Sequence, residues 1–388
     1  MRYKEIPSFP RFMQLGALES DSLVYEVGKA IAQECRQLKI QVNYSPVADM
    51  NNNPQKHILD SRSFNEDKEK VARFTVAMYR GLRDGGVAGS AKHFPGHGDT
   101  DVDSHLALPL LYFDEVKLDS MELYPFKHLV AAGVDMVMVA HLGIPALDPS
   151  GTPSSISRPI VTGLLREKLG FKGIICTDAL NMHGVAKESG LEKKEIPLAA
   201  YKAGADILLM PEDVENSITV IEQALKRGEI TMAGLDERVK KMLALKARLG
   251  ILDKGYSPYV ELDGIEKRVI VQENLDLMQQ IAKNSMTVLF NDNSAGYGLP
   301  VSFEGKKVAY VGYKNPVLGR EFGEIANRYG KVDTILLSND ASLAALKDAR
   351  NRLRNHDLII MGFNETDQRP HKGYAINVFW LGGYINSC

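Results

Sequence analysis

Apolar residues along this chain switch repeatedly between two spacings. Leu23, Val24, Val27, Ala30, Ile31 and Cys35 recur at helical intervals and predict a helix over residues 21–38. Short apolar runs predict buried strands at Ile40–Val47, Val87–Lys92, Asp135–Ala140, Gly173–Thr177 and Ala205–Met210. Helices fall between them. Glu66–Arg83 has Asn65 as its cap, and Asp114–Ala132 holds Pro125, which must start or kink it. Pro159–Leu169 has Ser157 near its cap, and Ile196–Ala203 and Val214–Arg227 follow. Leu235–Leu249 gathers Val239, Met242, Leu243, Leu245 and Leu249 on one face and is closed by Gly250 and Gly255.

Asp253–Asp263 is polar, is broken by Gly255 and Pro258, and reads as a linker. Strands are expected beyond it at Met286–Phe290, Lys307–Val311, Asp333–Leu337 and Asp357–Met361, with Tyr374–Trp380 as one more. Leu343–Leu353 is the clearest helix among them. Strand–helix alternation of this kind indicates a parallel α/β layer. Val311-Gly312 lacks the Gly-x-Gly-x-x-Gly spacing of a dinucleotide site.

The 388 residues leave room for one large domain and a smaller one. A formal net charge of -2 carries no nucleic-acid footprint. The three cysteines, Cys35, Cys176 and Cys388, are too few and too scattered for a disulfide framework. No apolar run approaches the roughly 18 residues of a membrane span. Met1-Arg-Tyr-Lys-Glu is not the opening of a signal peptide.

The stretch with chemistry in it is Ala91–Leu110, AKHFPGHGDTDVDSHLALPL. A strand end opens there into a polar loop, because Pro95 has no amide hydrogen and Gly96 and Gly98 permit positive φ. The loop concentrates Lys92, His93, His97, Asp99, Asp101, Asp103 and His105. In Asp103-Ser104-His105 a carboxylate lies two residues from an imidazole, near enough to orient it for proton transfer. Three readings stay open on the residues alone: acid/base catalysis, a metal site built from His93, His97, Asp101, Asp103 and His105, or a structural hydrogen-bond network. Arg62 before a helix, His141 just past a strand end and Asp178 at another strand end each have a bland alternative as an ion pair, a buried histidine and a helix cap.

KHFPGHGDTDVDSH resembles the signature of glycoside hydrolase family 3 β-N-acetylglucosaminidases. Thr177-Asp178-Ala179-Leu180-Asn181-Met182 resembles that family's nucleophile segment, and Gly204-Ala-Asp-Ile-Leu-Leu-Met-Pro also matches. The resemblance implies a retaining mechanism with Asp178 as nucleophile, His105 as acid/base and Asp103 orienting it. It places Lys92, His93, Arg62, His141 and Met182 against the sugar and implies neither metal nor cofactor. The implied substrate is a GlcNAc-containing saccharide or muropeptide. A histidine donor in place of a carboxylic acid puts less negative charge beside the leaving group, which suits a muramyl carboxylate, or phosphate in a phosphorylase alternative.

The implied fold is a (β/α)8 barrel over residues 1–250, a linker and helix over 251–284 and an α/β sandwich over 285–388. The first region shows about five strands where such a barrel has eight. Phe9-Pro-Arg-Phe-Met-Gln-Leu-Gly matches a family stretch that follows the opening strands, so the chain is expected to lack them, together with an Asp-Gln-Glu-Gly-Gly-Arg-like segment that binds sugar. The C-terminal end is expected to be short as well. An incomplete pocket makes weak turnover, a sugar-binding or scaffold role, or completion by a homo-oligomer further expectations. The compartment expected of a full-length protein is periplasmic or extracellular.

Overall fold

The computed structural model describes residues 6–52, 59–98, 108–182, 185, 189–292 and 298–364. Asp103, His105 and Tyr374–Trp380 lie outside them. Contacts divide the chain into two compact units, residues 1–286 and 287–388.

The first unit is built on a parallel sheet. Strands β1 (Val42–Asn43), β2 (Ala88–Phe94), β3 (Met136–Val139) and β4 (Ile174–Thr177) lie side by side in that order. Val42 pairs with Ala88, Ser90 with Met136, and Met136 with Ile174. Both faces of the sheet are buried, which is why its strands read as continuous apolar runs. Ala91, Val137, Val139 and Ile175 meet Phe126, Leu129, Ile160 and Leu164 on one face. Ala88, Met136, Met138, Ile174 and Cys176 meet Leu245 of the helix Met232–Arg248 and its C-cap residue Leu249 on the other.

Two expected strands are shorter than their apolar runs. Pairing at β1 narrows because Pro46 has no N–H to give. The carbonyls of Ser45 and Pro46 still accept from Ser90 and Lys92, and Val47 bridges Lys92. Around residue 207 the pairing reduces to a single bridge, Cys176 to Ile207. Here the Asp206 carboxylate accepts the Ile175 amide at 2.9 Å, and Thr177 Oγ1 accepts the Leu209 amide at 3.0 Å. Side chains thus take partners that a regular ladder would use. Asp206 also pairs with Arg166 at 2.9 Å and Lys241 at 3.0 Å, which pins this edge to two helices.

The helices follow the predicted pattern with local corrections. The helix Lys68–Asp84 is capped by Asp67, which accepts from the Lys70 amide, rather than by Asn65, whose carboxamide accepts from Glu66 and Asp67 in a turn just upstream. It crosses the helix Asp21–Gln37 where Gly28 faces Gly81. A Cβ on Gly81 would sit 2.1 Å from the Tyr25 carbonyl oxygen, so only glycine allows that approach. The kink expected at Pro125 takes the form of a π-turn, Leu118–Glu122, that leads into the helix Leu123–Ala131. Pro159–Lys168 is also wound as a π-helix. Past residue 250 the chain stays in this unit: Asn274 donates to Glu34 at 3.1 Å, and Ile281 joins the core of Val24, Val27 and Phe74. Among the described residues no helix is long and apolar enough to cross a membrane.

The second unit has strands β5 (Val308–Lys314), β6 (Val332–Ser338) and β7 (Leu358–Phe363), parallel and ordered β6-β5-β7. The helices Pro316–Ala326 and Leu343–Leu353 alternate with them. Met286–Phe290 is not a strand. Its apolar residues Val288, Leu289 and Phe290 are consecutive and ask for cover on two faces, yet Leu289 is 94% exposed and Phe290 83%. Fold class is therefore α/β with parallel sheets in both units.

Candidate active site

Parallel strands put their carboxyl ends on one edge of the sheet, and the predicted residues collect there. Lys92 and His93 lie near the end of β2, His141 two residues past β3, and Asp178 directly after β4. The Lys92–His93 and Phe94–Pro95 peptides are both cis. Phe94 packs edge-on against Phe126 with ring centroids 5.3 Å apart, which fixes the strand end to the helix behind it.

Asp178 is held from both neighbouring elements. Its amide donates to the Val139 carbonyl at 2.8 Å, and its Oδ1 accepts from the Ala179 amide at 2.8 Å. Burial by itself would raise this carboxyl. The His93 and His141 rings, the Ala179 amide and the Lys92 ammonium outweigh burial and hold Asp178 below the usual carboxylate range. A partly buried carboxylate kept ionised by several cationic or donor neighbours is suited to nucleophilic attack. Lys92 also lies below its usual range, lowered first by burial and then by the nearby Arg62 guanidinium. Arg62 ends the short 3₁₀ turn Asp60–Arg62, and its Nη2 lies 3.4 Å from His93 Nε2.

His141 is fully buried, with Nδ1 2.7 Å from Ser155 Oγ and Nε2 3.0 Å from the Ala179 carbonyl oxygen. It therefore grips the loop that carries Asp178. Met182 closes the turn after β4: its amide donates to Ala179 at 3.1 Å and its side chain is buried.

One participant has no role in the sequence reading. Asp49, the first residue of an Asn-rich loop, is fully buried, and its carboxylate gathers the segment after β2. Oδ1 accepts the His97 amide at 2.8 Å and the His93 amide at 3.1 Å, while Oδ2 lies 2.6 Å from His93 Nδ1. Burial would raise Asp49, but the His93 ring and the His97 amide more than compensate and leave it below the usual carboxylate range. The signal in the sequence was an acid at the end of a buried strand, Val47-Ala48-Asp49, with no neighbour in the chain to pair with it. Burial, followed by the His93 ring, lowers His97, whose ring stands edge-on to His93 at 6.0 Å. Gly98 passes so close to the Met50 carbonyl that a Cβ would lie 1.9 Å from it, so only glycine fits there.

The structure thus brings Lys92, His93, Arg62, His141 and Asp178 to one edge. Asp103 and His105 follow directly in the chain but fall outside the described residues.

The family model described as "Glycosyl hydrolase family 3 N terminal domain" matches residues 1–245. A protein named beta-hexosaminidase A from Pseudoalteromonas piscicida is 32% identical over 269 residues, which are 63% of this chain and 45% of that protein. A protein named beta-N-acetylglucosaminidase/beta-glucosidase from Cellulomonas fimi is 32% identical over 248 residues, 62% of this chain and 44% of its own length. Among solved structures, a glycoside hydrolase family 3 beta-N-acetylglucosaminidase from Paenibacillus sp. str. FPU-7 superposes with a TM-score of 0.76 at 30% identity, covering 93% of this chain and 69% of that one. The chain spans about half the length of the curated relatives it matches.

Proposed function

The chain belongs to glycosyl hydrolase family 3, and we propose that it is a retaining β-N-acetylglucosaminidase that removes terminal GlcNAc from peptidoglycan fragments. The observation that carries this reading is the placement of Asp178: an ionised carboxylate at the end of β4, with Lys92 and His93 near the end of β2 in the same sheet and His141 behind its loop. The parallel strands are read as part of a (β/α)8 barrel, whose working groups gather at the carboxyl ends of the strands. The second unit is read as part of an α/β sandwich.

In this mechanism Asp178 attacks the anomeric carbon and forms a glycosyl ester as the aglycone leaves. His105, oriented by Asp103, gives its proton to the leaving oxygen. It then takes a proton from the water that attacks the ester, and the sugar departs with its β configuration retained. Lys92 and Arg62 donate to sugar hydroxyls as charged groups, His93 and Met182 complete the wall, and His141 holds the Asp178 loop. The relative that bears both activity names supports a second reading as a β-glucosidase, which differs only in what the site accepts at the sugar's second carbon.

The test is the stereochemistry of turnover. Proton NMR of an aryl β-N-acetylglucosaminide digest should show the β-anomer of GlcNAc appearing first. An α-anomer as first product would refute the retaining mechanism. Faster turnover of the aryl β-glucoside would move the specificity to the second reading, and a sugar phosphate formed only with added phosphate would move the reaction to phosphorolysis.

A further inference from the structure

His93 stands between two groups that each have a single hydrogen-bonding role. Asp49 Oδ2 lies 2.6 Å from Nδ1, and an ionised carboxylate only accepts. Arg62 Nη2 lies 3.4 Å from Nε2, and a guanidinium only donates. An acceptor at one nitrogen and a donor at the other admit one neutral form of the ring, with the hydrogen on Nδ1 and the lone pair on Nε2. We propose that Asp49 is a positioning residue which, with Arg62, fixes His93 as the Nδ1–H tautomer, so that Nε2 enters the site as an acceptor.

This gives the site a polarity. Lys92, next in the chain, only donates. A substrate group that reaches both residues must accept from Lys92 and donate to His93 Nε2, taking over its single lone pair from the long 3.4 Å Arg62 contact. A hydroxyl does both, whereas fluorine or a methoxy group cannot donate. The substrate part of this inference rests on the glycosidase reading, but the tautomer does not.

The Asp49 carboxylate is also positioned for a clean substitution. Its Oδ1 already takes the His97 amide at 2.8 Å and the His93 amide at 3.1 Å. In Asp49→Asn the side-chain oxygen stays with those two N–H donors, and the NH₂ turns to face Nδ1. The ring must then accept at Nδ1 and carry its hydrogen on Nε2, pointing it at the Arg62 donor.

Long-range proton–nitrogen NMR of the full chain labelled with ¹⁵N-histidine, at neutral pH, reads the tautomer directly. The His93 signals are those lost in His93→Gln. The wild-type ring should be protonated at Nδ1 and bare at Nε2. A hydrogen on Nε2, alone or in a doubly protonated ring, overturns the proposal. Asp49→Asn should move the hydrogen to Nε2, and an unmoved hydrogen overturns the role of Asp49. If that variant does not fold, the wild-type spectrum still decides, together with Arg62→Met, which keeps Asp49 and should keep Nδ1–H. The kinetic readout uses aryl glycosides with one ring hydroxyl at a time replaced by fluorine. Wild type should lose about tenfold or more in kcat/KM at one position, and Asp49→Asn should lose much of that discrimination. An equal ratio in the two proteins overturns the polarity argument. Absence of turnover by the wild type would fail the glycosidase reading, while the tautomer is still decided by NMR.

Discussion

The Nε2 of His141 lies 3.0 Å from the carbonyl oxygen of Ala179, the residue that follows Asp178. A carbonyl only accepts, so Nε2 carries the hydrogen and Nδ1 accepts from the Ser155 hydroxyl, 2.7 Å away. A chain of two hydrogen bonds therefore runs from Ser155 through a buried ring to the backbone beside the proposed nucleophile. His141→Ala should release that backbone. A carboxylate misplaced by about 1 Å costs on the order of 10²-fold in rate. The loss is expected in kcat with KM little changed, and Ser155→Ala should be milder, with about 1 kcal/mol of stability lost. Steady-state kinetics beside urea unfolding separates the two effects, and an unchanged kcat in His141→Ala would contradict this account.

Glu34 supplies a test by pH. The Glu34 carboxyl is buried against the helix Gln272–Asn284, and burial pushes it up to about 7, although Asn274 donates to it. Its folded value lies above the unfolded one, so the folded chain holds a proton that the unfolded chain releases. Stability from this group is fully present below the ordinary glutamate range and is lost as pH rises through about 7. The loss is roughly 3 kcal/mol at most. Glu34→Gln keeps an acceptor for Asn274 and removes the charge. Its melting temperature should exceed that of wild type above neutrality and approach it as pH falls below about 4.5, and parallel curves for the two proteins would contradict the assignment.

His105 lies outside the described residues, so its prediction rests on the family pattern and not on geometry. His105→Ala should slow glycosides with poor leaving groups far more than activated aryl glycosides, because only the former need a proton at the departing oxygen. Equal losses across a leaving-group series would remove it from the role of proton donor.

Elements were legible where local patterning and tertiary packing agree. Leu343–Leu353 forms with the predicted bounds, and Pro125 distorts its helix as its missing amide requires. Pairing around residue 207 fell short because Asp206 spends its carboxylate on the Ile175 amide and on two cations, a choice made by residues 31 to 40 positions away. The site shows the same division. Lys92, His93 and Asp178 stood out as reactive groups at strand ends, where a parallel sheet must bring them together. Asp49 did not, because its partners lie 44 and 48 residues further along and only the folded sheet joins them. Ser155 and the Ala179 carbonyl were equally invisible, since a serine in a loop and a backbone oxygen carry no sequence signal of their own.

In the proposed mechanism Asp178 forms the covalent bond to the sugar. A slow fluorinated aryl N-acetylglucosaminide traps that intermediate, and digestion followed by mass spectrometry locates it. One sugar should be found on the peptide that contains Thr177-Asp178-Ala179, fragmentation should place it on Asp178, and Asp178→Ala should carry none. A sugar on any other carboxylate, or full turnover by Asp178→Ala, would contradict the account.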